Sequence, residues 1–459
     1  MFFKAFNRYV LGMTPADLIK NTKNKRAPRY TSYPPANHFN ELIGADHHAQ
    51  WLSTVKPYSA VSMYVHIPYC RHLCWFCACR TQAVKRDSVL NRYIVALVNE
   101  VRQIGQHLDS DAVIHSIHLG GGTPLVLSSS QLTEVFSVIT ETFNLSKNIE
   151  ISFEIDPSYS SVESIDTAVS LGMSRASLGV QDFSLKVQKA IGREQSFKTT
   201  EAVINRLRQL GVTSINLDLV YGLPNQTIRS FTDTLEKVIQ LRPERIALFG
   251  YAHVPWMSRR QILINNKDIP DESLRENIYN LACRKLITNG YYPVGIDHFV
   301  RRGDTMLQAL DSGSIKRNFQ GYTCDTAPTL IGVGASAISK FEQGYTQNAS
   351  RTKIYEDHID EGNLATSRGH ELSPQDKVRS YIIERLMCHL PISIVTLNRL
   401  FGHEADEVIN EIRFNTERLG LTRVEHDIYH IKKENRALVR IIAQAFDQYK
   451  GFRSHSLVI

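Results

Sequence analysis

Cys70, Cys74, Cys77 and Cys79 fall within ten residues of one another and make up four of the seven cysteines in the chain. The first three are spaced C-x3-C-x2-C. Thiolates at that spacing can wrap three corners of a cubane [4Fe–4S] cluster, and soft, charge-donating sulfur suits iron–sulfur chemistry. If Cys79 stays off the metal, one iron keeps an open position at which a small molecule can bind. A zinc site would ordinarily pair two ligand groups far apart in sequence, and no second C-x2-C or H-x3-5-H group accompanies this one. Disulfides suit secreted chains, which this one does not resemble. The isolated Cys283, Cys324 and Cys388 read as small buried side chains.

The elements around this loop must hold it. Val61–Ile67 alternates and is rich in Val, Ile and Tyr, so it reads as a strand leading into the cysteines. Further strands are expected at Ala112–Leu119, Ile149–Ile155, Arg175–Val180, Ser214–Tyr221 and Arg245–Tyr251, with a seventh at Tyr292–His298. Helical periods separate them over 88–108, 130–143, 161–171, 184–191, 198–210, 229–241 and 272–289. Alternating strands and helices predict a parallel sheet with helices outside. About six such units fit an incomplete β/α barrel, although pattern alone leaves an open doubly wound sheet standing.

Polar residues gather where these strands end. Gly120, Gly121 and Gly122 close the second strand, Glu154 and Asp156 the third, and Gln181 and Asp182 the fourth. Asp218 lies late in the fifth, and Ala252 and His253 follow the sixth. In β/α barrels chemistry collects at this carboxyl edge.

The chain has 459 residues, 42% hydrophobic and 22% charged, with a net charge of +7. That composition supports a large core. It contains no apolar run of about eighteen residues, so no membrane span is expected. The N-terminus lacks the features of a secretory signal, which with clustered cysteines points to a reducing cytoplasm. Basic runs interleaved with aromatics are missing, which argues against nucleic acid, while a mildly basic balance suits a substrate with several carboxylates. Four regions are expected: an N-terminal extension over 1–55, the barrel over 56–300, a loop-rich segment over 301–372 that completes the barrel and links onward, and a mainly helical domain over 373–459. Val424–Ile431 within the last reads as a hairpin, giving a winged-helix flavour without a dense basic helix. A lid or cap is the expected role.

C-x3-C-x2-C with Phe76 before the third cysteine resembles the radical S-adenosylmethionine (SAM) superfamily. The longer string Tyr64-Val65-His66-Ile67-Pro68, followed by C-x3-C-x-F-C-x-C, resembles one family within it, the oxygen-independent coproporphyrinogen III oxidases. The likeness runs from Pro28-Arg29-Tyr30-Thr31-Ser32-Tyr33-Pro34 through Ser177–Phe183, Tyr221-Gly222-Leu223-Pro224, Asp297-His298-Phe299 and Arg317–Tyr322 to Leu457-Val458-Ile459.

The resemblance implies a partial six-unit barrel and a [4Fe–4S] cluster on Cys70, Cys74 and Cys77. It also implies two SAM molecules. Tyr64, Gly121, Glu154 and Ile338 match contacts to the first. Phe76, Gly122, Thr123, Gln181, Arg193, Asp218 and Ala252 match contacts to the second. Cys79 is expected off the iron but in the active site, in a catalytic role together with Tyr64. Arg29 and Arg317 are candidates for substrate carboxylates. Ala78 departs from the family's usual glycine, and its methyl group either crowds the second SAM site or is harmless. The implied reaction is oxidative decarboxylation of two propionates of coproporphyrinogen III, with electrons from a donor protein such as a flavodoxin or ferredoxin, in a monomeric enzyme. Three rivals share some of these features: a related haem chaperone, a sister enzyme acting on another tetrapyrrole, and a non-catalytic iron–sulfur protein.

Overall fold

A computed structural model describes residues 27–449; the earlier part of the N-terminal extension and the terminal Leu457-Val458-Ile459 lie outside the described residues. The expected strands form as apolar β-branched runs. They are β1 (Ala60–Ile67), β2 (Val113–Gly121), β3 (Asn144–Ile155), β4 (Arg175–Gln181), β5 (Ser214–Tyr221) and β6 (Arg245–Gly250). Each is joined to the next through helices on one side: α2 (Asp87–His107), α3 (Ser129–Thr142), α4 (Val162–Ser170), α5 (Leu185–Ala190), α6 (Phe197–Gln209) and α7 (Ile228–Leu241), with α8 (Glu272–Thr288) following β6 and α1 (Ala45–Ser53) preceding β1. Ser128, Ser161 and Thr227 cap α3, α4 and α7 by accepting backbone N–H donors, which fixes where these helices begin.

The sheet has twelve strands, and β1 to β6 run parallel in sequence order through its middle. This is the α/β architecture of an incomplete barrel. Alternation divides each strand. Ile151, Phe153 and Ile155 of β3, and Leu217, Leu219 and Tyr221 of β5, join the large apolar core beneath the helices. Ser152, Glu154, Asn216 and Asp218 therefore point to the other, inner face.

Two expectations are corrected. Tyr292–His298 is not one parallel strand. It is split into β7 (Tyr291–Val294) and β8 (His298–Arg301), an antiparallel hairpin added to β6. Pro293 cannot donate to a ladder, and Gly295 turns the chain at a φ of 58°. The segment over 301–372 is also less loop-rich than its glycines suggest. It supplies β9 (Thr329–Val333), which pairs parallel with β1, and then β10 (Ile338–Lys340), β11 (Gly344–Asn348) and β12 (Thr366–Glu371), each antiparallel to the last. The glycines let the chain approach itself. A Cβ on Gly332 would stand 2.5 Å from the Ile338 carbonyl oxygen, and one on Gly334 2.6 Å from that of His66.

After α9 (Thr305–Ser312) and α10 (Thr352–Asp360), the C-terminal region carries α11 (Pro374–Met387), α12 (Ile394–Phe401), α13 (Asp406–Leu419) and α14 (Val439–Gln444). The hairpin appears as strands Thr422–Glu425 and Ile428–Ile431, joined by Ile392–Ser393. This region has its own core, and Tyr30 and Tyr33 belong to it. The Pro28–Pro35 string is thus packed under the C-terminal helices. Tyr30 donates to Asp447 at 2.8 Å, and Arg440 donates to the Pro28 carbonyl at 3.1 Å.

Candidate functional site

The cysteine loop leaves the carboxyl end of β1 and is tied down from three directions. Trp75 N–H donates to the Ile191 carbonyl at 2.8 Å. Ser258 donates to the Cys77 carbonyl at 2.8 Å, and Arg260 to the Thr81 carbonyl at 2.9 Å. Gln261, fully buried, donates to the carbonyls of Phe76 at 2.8 Å and Ala252 at 3.2 Å. Gln261 therefore brings together two residues 176 positions apart that were expected to share a ligand. Periodicity could not reveal it, since it lies in an irregular segment after β6.

All four cysteines of the loop are free thiols; Cys74 is buried and Cys79 exposed. Among the described residues no three His, Cys, Asp or Glu side chains surround a single point where one metal ion would sit. A cubane bonds each thiolate to a different iron, so its ligands stand farther apart, and an all-sulfur donor set suits it. Arg193 contacts this set directly. Its Nη1 donates to Cys74 Sγ at 3.3 Å and to Asp156 Oδ2 at 2.8 Å, and its Nη2 donates to the Gly179 carbonyl at 2.8 Å. Burial opposes the Arg193 charge, but Asp156 and Cys74 outweigh it and raise its pKa.

A second group lies at the ends of β1 to β3. Tyr64 donates to or accepts from His66 Nδ1 at 2.9 Å, and its ring stacks on His118 with centroids 5.7 Å apart. His118 contacts Ser152 Oγ at 2.6 Å through Nδ1 and Glu154 Oε1 at 3.3 Å through Nε2. Gly121 N–H donates to Glu154 Oε2 at 2.9 Å. Burial would raise the Glu154 pKa, but the contacts from His118 and Gly121 prevail and hold it below the usual range. A carboxylate so held keeps free lone pairs on both oxygens for hydroxyl donors. Ile338 joins this group through the backbone, since its carbonyl overlies Gly332, which is the β9 partner of Tyr64. His118 was not singled out in the sequence, although strand parity places it on the same face as Ser152 and Glu154.

A third group surrounds Gly179. A Cβ there would lie 2.9 Å from Gln181 Nε2 and 3.2 Å from Arg193 Nη2. Asp218 is the β5 partner of Gly179 and accepts from Asn216 at 2.8 Å and Ser177 at 3.1 Å. Burial, then the nearby Glu154 charge, push Asp218 up to about 6. Thr123 links the groups by accepting from Asp156 N–H at 3.2 Å. Gly122 is needed for close approach, because a Cβ would stand 2.3 Å from the Tyr69 carbonyl oxygen.

Two buried polar atoms on the inner face have no partner among the described residues, Arg193 Nε at the edge and Asn216 Oδ1 deeper in β5. Such orphans are rare, and a polar ligand beside Arg193 would satisfy its Nε. The residues present thus fit a sulfur-bound cluster beside a ligand with hydroxyl and charged groups.

Among the described residues no hydrogen bond links Arg29 or Arg317 to these three groups. Arg29 Nη2 donates to the Gly250 carbonyl at 2.7 Å. Its neighbours include Tyr221 and Leu248, which lie on the helix side of the sheet. The Arg317 side chain is 4% exposed, 3.8 Å from Asp297 Oδ2, and stacked over Tyr322 at 4.5 Å. Ala78 is exposed.

Residues 64–238 match the radical SAM superfamily. An oxygen-independent coproporphyrinogen III oxidase of Cereibacter sphaeroides is 43% identical over 93% of this chain and 94% of its own length. One from Paracoccus denitrificans is 39% identical over 95% of this chain and 97% of its own. The solved structure of coproporphyrinogen III oxidase from Escherichia coli, a radical SAM enzyme, aligns with a TM-score of 0.88 at 34% identity and covers 92% of this chain and 97% of that one. The cysteine loop and the strand-edge groups therefore sit in a member of the oxygen-independent coproporphyrinogen III oxidase family within the radical SAM superfamily.

Proposed function

We propose that the protein performs the oxygen-independent oxidative decarboxylation of coproporphyrinogen III in haem biosynthesis, converting the ring A and ring B propionates to the vinyl groups of protoporphyrinogen IX. The observation that carries this reading is the extent of the relationship. Relatives bearing that name align over more than nine-tenths of both chains, so the likeness takes in the N-terminal segment and the C-terminal domain as well as the barrel.

Membership of the superfamily brings a [4Fe–4S] cluster and SAM. When bound and reduced, they supply a 5′-deoxyadenosyl radical able to take a β-hydrogen from a propionate, after which loss of CO2 and one electron leaves a vinyl group. Cys70, Cys74 and Cys77 would hold three irons, and Arg193 would steady Cys74 by donating to its sulfur. Tyr64, Gly121, Glu154 and Ile338 are assigned to one SAM. Glu154 would accept from ribose hydroxyls while Gly121 N–H fixes its orientation. Phe76, Gly122, Thr123, Gln181, Arg193, Asp218 and Ala252 are assigned to a second. Cys79, exposed beside Cys77, is assigned a catalytic role without ligating iron. A reducing partner protein of the flavodoxin or ferredoxin kind, a cytoplasmic location and a monomeric state complete the proposal. Among the described residues no helix is long and apolar enough to cross a membrane.

The test is an anaerobic assay of the iron–sulfur-reconstituted protein with SAM, a strong reductant, coproporphyrinogen III and cell extract as electron acceptor. Two successive losses of CO2 accompanied by 5′-deoxyadenosine are expected. Absence of SAM cleavage together with tight haem binding would overturn the reading in favour of a haem-binding protein.

A further inference from the structure

On the helix side of the sheet, turned away from Glu154 and Asp218, lies a cavity of about 270 Å³. Its location follows from strand parity. Tyr221 and Leu248 line it, and the Tyr221 ring packs on Tyr279 of α8 at 5.3 Å, whereas Asp218 points to the opposite face. Parts of the chain distant in sequence meet there: the N-terminal segment, the ends of β5 and β6, α8, the β7–β8 turn and the C-terminal region.

Four arginines line this one space: Arg29, Arg275, Arg436 and Arg440. They face two carboxylates, Glu276 and Asp297, and Asp297 is already engaged by His298 at 2.6 Å and Arg317 at 3.8 Å. Burial lowers the pKa of Arg29 and of Arg275, and burial followed by the Arg29 charge brings Arg440 down to about 9. Guanidinium groups do not give up their protons in proteins, so these shifts mark cations held largely out of water, where an organic acid would meet them with little competition from solvent. Two polar atoms of the lining, Arg275 Nε and His389 Nε2, are buried without a partner. The remaining wall is apolar and aromatic, from Leu248, Pro293, Ile296, Tyr221 and Tyr279. A bare inorganic anion has no use for such a wall, whereas an organic molecule with acidic arms fills both parts.

We propose that this cavity binds an organic polycarboxylate, an apolar body bearing two or more carboxylate groups, whose acids meet Arg29, Arg275, Arg436 and Arg440. Planar guanidinium forks pair with carboxylates in bidentate fashion. Strand parity turns Tyr221 and Leu248 of this site away from Asp218 and Glu154, and on that ground the proposal sets the bound acid apart from the strand-edge groups. Tetrapyrroles with propionate arms belong to the class, and their use as probe rests on the functional reading above; the site itself does not.

The experiment titrates the full-length apoprotein with coproporphyrin III, a stable polycarboxylate that cannot turn over, following its fluorescence with and without inorganic phosphate as competitor. Arg275→Gln and Arg436→Gln are each expected to weaken binding about tenfold or more, the usual loss for one charge-assisted hydrogen bond. Arg275 also donates to the Tyr251 carbonyl at 2.8 Å, so its variant could fold poorly, but Arg436 is exposed and its replacement keeps the test decisive. Unchanged binding in a folded Arg436→Gln protein would place the porphyrin elsewhere and overturn the proposal, as would no binding at all. Displacement by phosphate at equal concentration would overturn it in favour of a simple oxyanion site. A failure of the decarboxylation assay would leave this titration unaffected, so the two readings fail separately.

Discussion

Arg193 joins Cys74 to Asp156 through a single nitrogen, with Nη1 lying 3.3 Å from the sulfur and 2.8 Å from the carboxylate. The contact fastens the cysteine loop after β1 to the ends of β3 and β4, which are far away in sequence. Lysine carries the charge but not the fork, and it cannot reach Cys74, Asp156 and the Gly179 carbonyl together. Arg193→Lys is expected to reconstitute with well under half the wild-type iron per chain and to bind SAM at least tenfold more weakly. Iron analysis and SAM titration check this, and full iron content with normal affinity would remove Arg193 from both roles.

The four cysteines should separate into two classes. Cys70→Ser, Cys74→Ser and Cys77→Ser are each expected to lose the visible absorbance of the cluster and all SAM cleavage. Cys79→Ser is expected to keep the cluster and to lose porphyrin decarboxylation. Loss of the cluster in the Cys79 variant would make that residue a ligand.

Glu154→Gln preserves shape and removes charge. Gly121 N–H still has an oxygen to meet, so the fold is expected to keep its melting temperature. One lone-pair-rich oxygen becomes an NH2 donor that cannot accept from a hydroxyl, and SAM affinity is expected to fall about tenfold or more. Because Glu154 is held below the usual carboxylate range, wild-type affinity should vary little from pH 8 to pH 6 through this group. Isothermal titration across that range measures both.

The parallel core was legible because Val, Ile and Leu recur with strand period and the connecting helices carry clear apolar stripes. The cysteine loop and the polar strand ends were legible because their residue types are unusual at such positions. His118 escaped notice because a histidine inside a strand has no signature until its neighbours Ser152 and Glu154 are in place. Gln261 was hidden for another reason: its value lies in three backbone partners, Phe76, Ala252 and Val254, which no local pattern encodes. Strands β9 to β12 were read as loop because Gly332, Gly334 and Gly344 lower strand propensity. Their close approaches to neighbouring backbone explain why glycine is there. The Pro28–Pro35 string carries no strand or helix period, and only the distant C-terminal core shows why Tyr30 and Tyr33 are aromatic.

Glu100 gives the fold a pH dependence separate from the cofactor site. It is fully buried on α2 and accepts hydrogen bonds from Gly334 N–H at 2.7 Å, Asn348 at 2.6 Å and Tyr355 at 2.7 Å. Burial outweighs these donors and lifts its pKa from 4.5 to about 7. The sign follows from linkage. Between those two values the folded protein holds a proton that the unfolded chain has released, so stability is greatest below pH 4.5 and is lost as pH rises through 7. The size is on the order of 3 kcal/mol. A glutamine at this place does not titrate, although its NH2 must face one of the three donors. Glu100→Gln is therefore expected to be less stable at pH 5.5 and to lose this part of the decline towards pH 8, so the two proteins converge as pH rises. Urea unfolding of both proteins at pH 5.5, 6.5 and 8 provides the measurement. Parallel curves, with a constant gap between the proteins, would show that Glu100 is already ionised in the folded protein at pH 5.5.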